Sequence, residues 1–390
     1  MVFNVEQAVA IQGGNALDAL KNTPRVKVEN DAVSIIGKGN LMIMVNDKIL
    51  RLSGADLSEY LKTINIEEIK KIEVITNPPY KYNAEGNSGI INVVTKKSKN
   101  NSWNASLRST FTQAMHTAGN IGGGYNMKKG KLELSSFLRY NNGSNAPIEN
   151  DHIYYVNSTW ETINNRRDYT NNLSARVSLG YQINAKLKTG FNFDFTRARP
   201  LIKEDIHTAV SEETNRSGNF AIKTIGRSQM KLLFKSLNYY ATYDIDSSGK
   251  KMALDIDVFG YENHNNRKFQ TVEANNKKLI QARNYGEQDI KNISLNLDME
   301  HPTQWLKMNY GVRFSRVKTN NLFQFFNIEK EIESINIDQS NNFQYQEDIQ
   351  ALYFSGQKSF GEKWEAKIGL RHEWTQTSGF SETLHQLNKN

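Results

Sequence analysis

The chain contains no cysteine, which excludes disulfide frameworks, thiolate metal sites and cysteine nucleophiles together. It has only 6 prolines in 390 residues, and no stretch approaches the ~18 uninterrupted apolar residues that a membrane helix needs. A helical membrane protein is therefore excluded. The start, Met1-Val2-Phe3-Asn4-Val5-Glu6, lacks the charged segment and about 7–15 apolar residues of a secretory signal. Taken alone, that places the chain in the cytoplasm. Its seven histidines are scattered, with no HExxH and no close pair, so neither a metal nor another cofactor is expected. Gly86-Asn87-Ser88-Gly89 is not a nucleophile elbow and reads as a turn. No enzymatic activity is expected.

What is present points to β structure. The 18 Phe, 17 Tyr and 5 Trp are more aromatic mass than a chain without a core carries. The net charge of +8 could serve nucleic acid, but its placement argues otherwise. Acidic and basic residues nearly balance before residue 98, and the surplus downstream is dispersed through alternating segments without a long basic run. That is a solvated polar face, and no nucleic-acid partner is expected.

Two regions follow different rules. Residues 1–97 mix short helices with short strands. Ala16-Leu17-Asp18-Ala19-Leu20 after Asn15 reads as a capped helix ending near Pro24. Short strands are expected at 26–29, 33–36, 41–45 and 48–50. Leu57, Tyr60, Leu61 and Ile64 share helical spacing across 53–64, and 69–76 with 90–95 read as apolar β-branched strands. From residue 102 the period becomes two. Leu173, Ala175, Val177, Leu179, Tyr181 and Ile183 lie on one face, with Asn172, Ser174, Arg176 and Ser178 on the other. The segments around Phe193, Ile256, Leu295 and Val312 repeat this.

Alternation alone fits a soluble sandwich equally well. Strand length and the rhythm of connections argue for a membrane barrel. Strands are expected at 102–113, 117–127, 131–142, 171–183, 186–197, 229–245, 251–264, 288–300, 305–318, 344–359 and 363–377, longer than the usual ~5–6 residues. Trp364 and Trp374 share a face ten residues apart, roughly 23 Å for a tilted strand, close to the ~25 Å apolar band of an outer-membrane barrel. Short links alternate with long loops at 143–170, 198–228, 265–287 and 319–343, the asymmetry of a transmembrane barrel.

The first region then carries a resemblance. Gly13-Gly14-Asn15 to Leu20, Lys38-Gly39-Asn40 to Asn46-Asp47, and above all Ile69 through Asn77-Pro78-Pro79-Tyr80-Lys81-Tyr82 and Glu85-Gly86-Asn87-Ser88-Gly89 to Asn92 and Lys97 resemble the plug domain of TonB-dependent outer-membrane receptors. The large outer-membrane barrel family of Bacteroidetes-type bacteria is the form it resembles. The resemblance covers the whole chain: 1–97 as an α+β plug domain, and 98–390 as the N-terminal half of a predominantly antiparallel transmembrane β-barrel. Its specific part is the plug segment, with Asn77, Pro78, Tyr80, Tyr82, Glu85, Gly86, Gly89 and Asn92 as the motif.

Such a barrel encloses its plug with about 22 strands, and eleven are expected here. The resemblance therefore implies a piece of a longer receptor, with the leader, the energy-coupling box and the remaining strands encoded elsewhere. It also implies location in the cell outer membrane, uptake of a small nutrient ligand, and as partners outer-membrane lipid, a TonB-type energy-coupling protein and a surface lipoprotein. Arg108, Arg139, Arg176, Arg313 and Arg371 fall on polar faces and are candidates for lumen and plug contacts. Tyr80, Tyr82, Phe323 and Phe325, the latter two in the Asn-rich loop 320–326, are candidate ligand contacts. Asp244 with Asp246, and Asp255 with Asp257, share faces at strand spacing and read as lumen or rim positions. A soluble or surface-attached all-β binding module, or a gene fragment without function, is the alternative.

Overall fold

In the computed structural model the described residues are 1–5, 15–29, 32–46, 48–50, 54–64, 66, 69–76, 88–95, 101–212, 220–273, 279–361, 364–383 and 386–389. The first elements are β1 (Val2–Asn4), α1 (Ala16–Lys21), β2 (Val26–Glu29), β3 (Ala32–Ile35), β4 (Asn40–Val45), β5 (Lys48–Ile49), α2 (Gly54–Thr63), β6 (Ile69–Ile75) and β7 (Ser88–Thr95). Asn15 starts α1: its side chain accepts from the amides of Leu17 and Asp18, and Asp18 reciprocally accepts from the Asn15 amide. The Thr23 hydroxyl donates to the Ala19 carbonyl at the other end. Ala16, Leu17, Ala19 and Leu20 are thereby held in the core.

These helices accompany a five-stranded sheet of order β1-β6-β7-β4-β5, in which β4 and β7 run parallel. Ile90, Ile91, Asn92 and Val93 are all buried, so β7 is covered on both faces, with Asn92 the polar member of the four. The strand β1 is a finding that sequence periodicity misses. Three residues are too few to alternate, yet β1 pairs with β6 and the Met1 amine donates to the Val74 carbonyl at 2.8 Å.

The rest of the chain is one antiparallel sheet. It comprises β8 (Ser102–Gln113), β9 (Thr117–Lys129), β10 (Leu132–Asn145), β11 (Ile148–Tyr154), β12 (Ser158–Gln182), β13 (Leu187–Ala198), β14 (Leu201–Glu212) and β15 (Phe220–Asp244). It continues with β16 (Lys251–Glu273), β17 (Leu279–Pro302), β18 (Lys307–Glu329), β19 (Ile332–Phe360), β20 (Trp364–Ser381) and β21 (Gln386–Lys389). The neighbour order runs from β21 down to β8, with β11 and β14 off the main path. Both of these continue the strand before them. Asn145↔Asp168 and Ile148↔Asn165 keep one register, as do Asn172↔Ala198 and Tyr169↔Leu201. Pro147 and Pro200 interrupt because they donate no amide, yet their carbonyls still accept from Arg166 and Met230 at 3.0 Å each. The eleven strands expected from the sequence are therefore present, each a row of this sheet, with β21 beside the last.

The sheet is inside out. Leu107, Leu179, Phe193, Leu237, Val258, Ile293, Leu297, Phe314 and Leu352 are exposed, whereas Ser174, Arg176, Asn192, Asp194, Ser236, Ser294, Ser315 and Ser355 are buried on the opposite face. A soluble sandwich would bury the first set. Trp305, Phe360 and Trp364, all exposed, cluster at one rim with Lys358 Nζ 5.5 and 5.4 Å from the Trp305 and Phe360 rings. That is an aromatic girdle at the edge of an apolar band.

The expected long loops are a correction. Most of 143–170, 198–228, 265–287 and 319–343 is strand: β12 and β15 have 25 residues each and β19 has 29. At ~3.3 Å per residue and ~45° tilt, 25 residues rise roughly 58 Å, more than twice the ~25 Å apolar band. The excess stands above it as hairpins in which polar and apolar residues mix on both faces, so period-two reading finds no clean alternation there. Cross-strand pairs hold them instead, such as Thr162 with Thr208 at 3.0 Å and Thr224 with Thr271 at 2.8 Å.

Candidate functional site

The polar face of the large sheet meets the α/β unit at Tyr60. Helix α2 turns Leu61 into its own core and Tyr60 outward, against the wall. The Tyr60 ring meets Phe137 of β10 edge-on, with centroids 5.3 Å apart, and the Arg176 guanidinium of β12 lies 5.8 Å from its centre. Arg176 Nη1 donates to Asp194 Oδ1 of β13 at 2.6 Å, and the Ser236 hydroxyl of β15 donates to the other carboxylate oxygen at 3.3 Å. The ion pair is almost wholly buried. Burial pushes the Tyr60 hydroxyl above its ordinary range, and the nearby Arg176 charge offsets only part of that. Aromatic edge, buried cation and carboxylate thus join one helix to three strands.

The other arginines are placed differently. Arg139 is buried opposite Gly122, with no Cβ to obstruct it. Arg313 lies half-buried between Asn296 and Ala351. Arg371 donates to Glu373 at 2.6 Å and stands 5.8 Å over the Tyr353 ring. Arg108 is exposed on the edge strand β8. Arg176 is the one that the structure brings against Tyr60 of the α/β unit.

Of the plug motif, Asn77, Pro78, Tyr80, Tyr82, Glu85 and Gly86 lie outside the described residues. Gly89 pairs with Leu41, and a Cβ there would stand 2.7 Å from Ile35 Cδ1. Asn92 is buried and donates to Glu73 at 3.0 Å. Burial alone would raise the Glu73 carboxyl, but hydrogen bonds from Lys71 and Asn92 hold it below the usual range.

Phe323 and Phe325 lie in β18 rather than in a loop. They share the parity of Ser315, on the polar face, above the level of the apolar rows. Phe325 meets Phe269 at 6.5 Å, and the Arg267 guanidinium is 5.3 Å from the Phe269 centre and 2.8 Å from a Glu204 oxygen. Arg166 adds contacts of 2.5 Å to Asp168 and 2.6 Å to Glu149 on the same side of the wall. The arrangement offers stacking surface beside fixed charge. Asp246 caps its turn by accepting from Ser248 and Lys250, Asp257 accepts from Asn238, and no metal-binding group of three or more side chains occurs among the described residues.

Two features escaped sequence reading. Tyr240 lies over Gly190, and Tyr353 over Gly311, each directly opposite in register; the Tyr353 hydroxyl also donates to Asp298 at 2.5 Å. A glycine on the polar face beside a strand with a polar-face tyrosine is the signal that could have found them.

Comparison with known proteins gives the following. Residues 243–390 match the outer membrane protein beta-barrel family. No curated protein matches. Among solved structures, a mutant of the ferric enterobactin receptor of Pseudomonas aeruginosa aligns at 9% identity over 97% of this chain and 90% of its own, with a TM-score of 0.35. The ferric-catecholate import receptor Fiu of E. coli K12 aligns at 10% identity over 100% and 76%, TM-score 0.35. The ferric preacinetobactin receptor of Acinetobacter baumannii aligns at 9% identity over 97% and 75%, TM-score 0.38.

Proposed function

We propose that this outer-membrane β-barrel protein is the plug-bearing part of a TonB-dependent receptor that takes up a small nutrient ligand. Residues 1–97 act as the plug and 98–390 as barrel wall. The observation that carries the reading is the pairing of an inside-out sheet with an α/β unit seated on its polar face, joined by Tyr60, Phe137 and Arg176. Lipid supplies the environment that the exposed apolar rows require. A plug must be held firmly enough to close the lumen and released on demand. An aromatic edge with a buried charge behind it suits that, because it makes a strong local contact.

Arg139, Arg313, Arg371 and Arg108 line the lumen in this reading. Phe323 and Phe325, with Phe269 and Arg267, face an arriving ligand from the hairpin rim; Tyr80 and Tyr82 remain candidate ligand contacts from the sequence alone. A TonB-type protein provides the energy, and a surface lipoprotein is a further partner at the rim. The chain, directed to the outer membrane, is expected to fractionate there and to shift its gel mobility on heating. A soluble, heat-insensitive product would overturn the proposal. Growth on the ligand that does not depend on the energy-coupling protein would overturn the transport part alone.

A further inference from the structure

The outward face of the large sheet changes character over two rows. Tyr239, Ile256, Leu295 and Phe314 form one outward row across β15 to β18, and Leu237, Val258 and Ile293 begin the next, which ends in Arg316. The row beyond reads Lys235, Gly260, Lys291, Lys318, Gln346 and Ser378 across β15 to β20. The acids Glu262 and Asp289 stand one row farther from the apolar band.

Lys291 and Lys318 are directly opposed on neighbouring strands, which costs stability unless an anion lies between them. Lys291 reaches Asp289 at 3.1 Å and Arg316 reaches Asp348 at 2.5 Å, so these acids neutralise only part of the local charge. Gly260 leaves a notch between Lys235 and Lys291, where an added Cβ would meet nothing within 4 Å. The two lysines flank it at two strand spacings, about 10 Å. Beside Lys291 and Lys318 a groove of about 630 Å³ opens, lined also by Asn320, Gln344, Gln346, Phe380 and Asp289, whose carboxylate Lys291 already engages. A cation row directly above apolar rows matches the layering of an anionic lipid, with the phosphate at the interface and the acyl chains below.

We infer that Lys235, Lys291 and Lys318, with Arg316 beside them, bind the phosphate-bearing headgroup of a lipid in the outer leaflet, whose acyl chains lie along Leu237, Val258, Ile293 and Leu295. The inference rests on the membrane-barrel reading above. Lysine at an interface also reaches into water without any ligand, so the test compares lipids rather than variants alone.

The purified full chain is incubated with phosphatidylcholine vesicles with and without phosphatidylglycerol, and partition is measured. Stronger partition into the phosphatidylglycerol vesicles is expected, with the preference reduced by about tenfold or more in K235Q/K291Q/K318Q, since each charge near the surface contributes measurably. K291R/K318R and the opposite-rim variant K131Q/K186Q should retain the preference. Should the triple variant not fold, K318Q alone should lose part of it. No lipid preference, or a preference untouched in K318Q and the triple variant, overturns the site. Loss of the preference on adding inorganic phosphate at constant ionic strength, but not on adding chloride, would make it a free-anion site and overturn the lipid assignment. A chain that enters neither vesicle overturns the membrane reading and this inference with it.

Discussion

Arg176 and Asp194 form their contact on adjacent strands with almost no solvent on either side chain. Taking two charges out of water costs several kcal/mol per ion, and the pair is net favourable only through its further bonds. Here Ser236 takes the second carboxylate oxygen and the Tyr60 ring covers the guanidinium. Arg176→Met should therefore destabilise by about 3–5 kcal/mol, because Asp194 is left charged and buried. The double variant R176M/D194L should be less damaged than the single one. Urea unfolding in detergent micelles measures both together with D194L alone, and a double-variant loss equal to the sum of the two single losses would mean the pair itself carries no coupling. Gly311 is a second residue-scale test. A Cβ there would lie 2.5 Å from the Leu297 carbonyl oxygen and 2.5 Å from the Tyr353 hydroxyl. The backbone clash cannot be relieved by a rotamer, so Gly311→Ala should lower the unfolding midpoint even though alanine is small. Gly311→Ala with Tyr353→Phe should recover little, since the Leu297 carbonyl remains.

The hairpins above the apolar band are held by side chains that reach between strands. Glu333, in the β18 to β19 hairpin, accepts from Lys268 of β16 at 3.0 Å and from Arg283 of β17, whose guanidinium also lies 3.9 Å from the Phe326 ring centre. Hydrogen bonds first from Lys268 and then from Arg283 hold the Glu333 carboxyl below its ordinary range. Its folded value is lowered, so its stabilising contribution is complete above the unfolded carboxylate range of about 4.3 and disappears as pH falls through the lowered value. Limited proteolysis of this hairpin should therefore be slow between about pH 5 and 7 and accelerate below about pH 4. Glu333→Gln should remove that step and cut faster at neutral pH. These hairpins are also where the sequence was least legible. From 173 to 183 every second residue is apolar, and the strand could be read directly. In 319 to 328, Asn320-Asn321 and Phe325-Phe326 break the alternation, because polar and apolar residues occur on both faces of that stretch. The backbone ladder runs on either side of a register shift between Phe323 and Phe325, through Asn320↔Gln344 before it and Phe326↔Ile335 after it. Backbone pairing has no residue signature of its own, which is why the expected strands stop short of the observed ones on the hairpin side, β15 beginning at Phe220 rather than 229 and β18 ending at Glu329 rather than 318. The contact at Tyr60 was half legible: its helical face marked it as core, but nothing in α2 indicated that Phe137 or Arg176 would receive it.

For the molecule as a whole, one question decides between membrane barrel and soluble sheet: which face tolerates charge. In a soluble protein the face bearing Leu297 would have to be covered, and a charge there would be buried in protein. In a bilayer it faces hydrocarbon, and its neighbour Asn296 faces the polar lumen. Leu297 sits midway in the outward apolar rows, between Met299 and Leu295, opposite Leu254 and Val312. An arginine at the bilayer midplane of a barrel costs about 2–4 kcal/mol, whereas lumen substitutions cost little. Leu297→Arg should accordingly lower the fraction of chain that inserts into phosphatidylcholine vesicles and becomes heat-modifiable, while Asn296→Arg, one residue away on the same strand, should leave it near the parent level. The depth dependence makes the prediction sharper. Ile293→Arg, in the row that already ends in Arg316, should cost less than Leu297→Arg, because its guanidinium can reach the Lys291 level and water. Equal effects of all three substitutions would mean that no apolar layer is centred on Leu297, and the sheet would then need a protein surface, not a lipid one, to cover its exposed face.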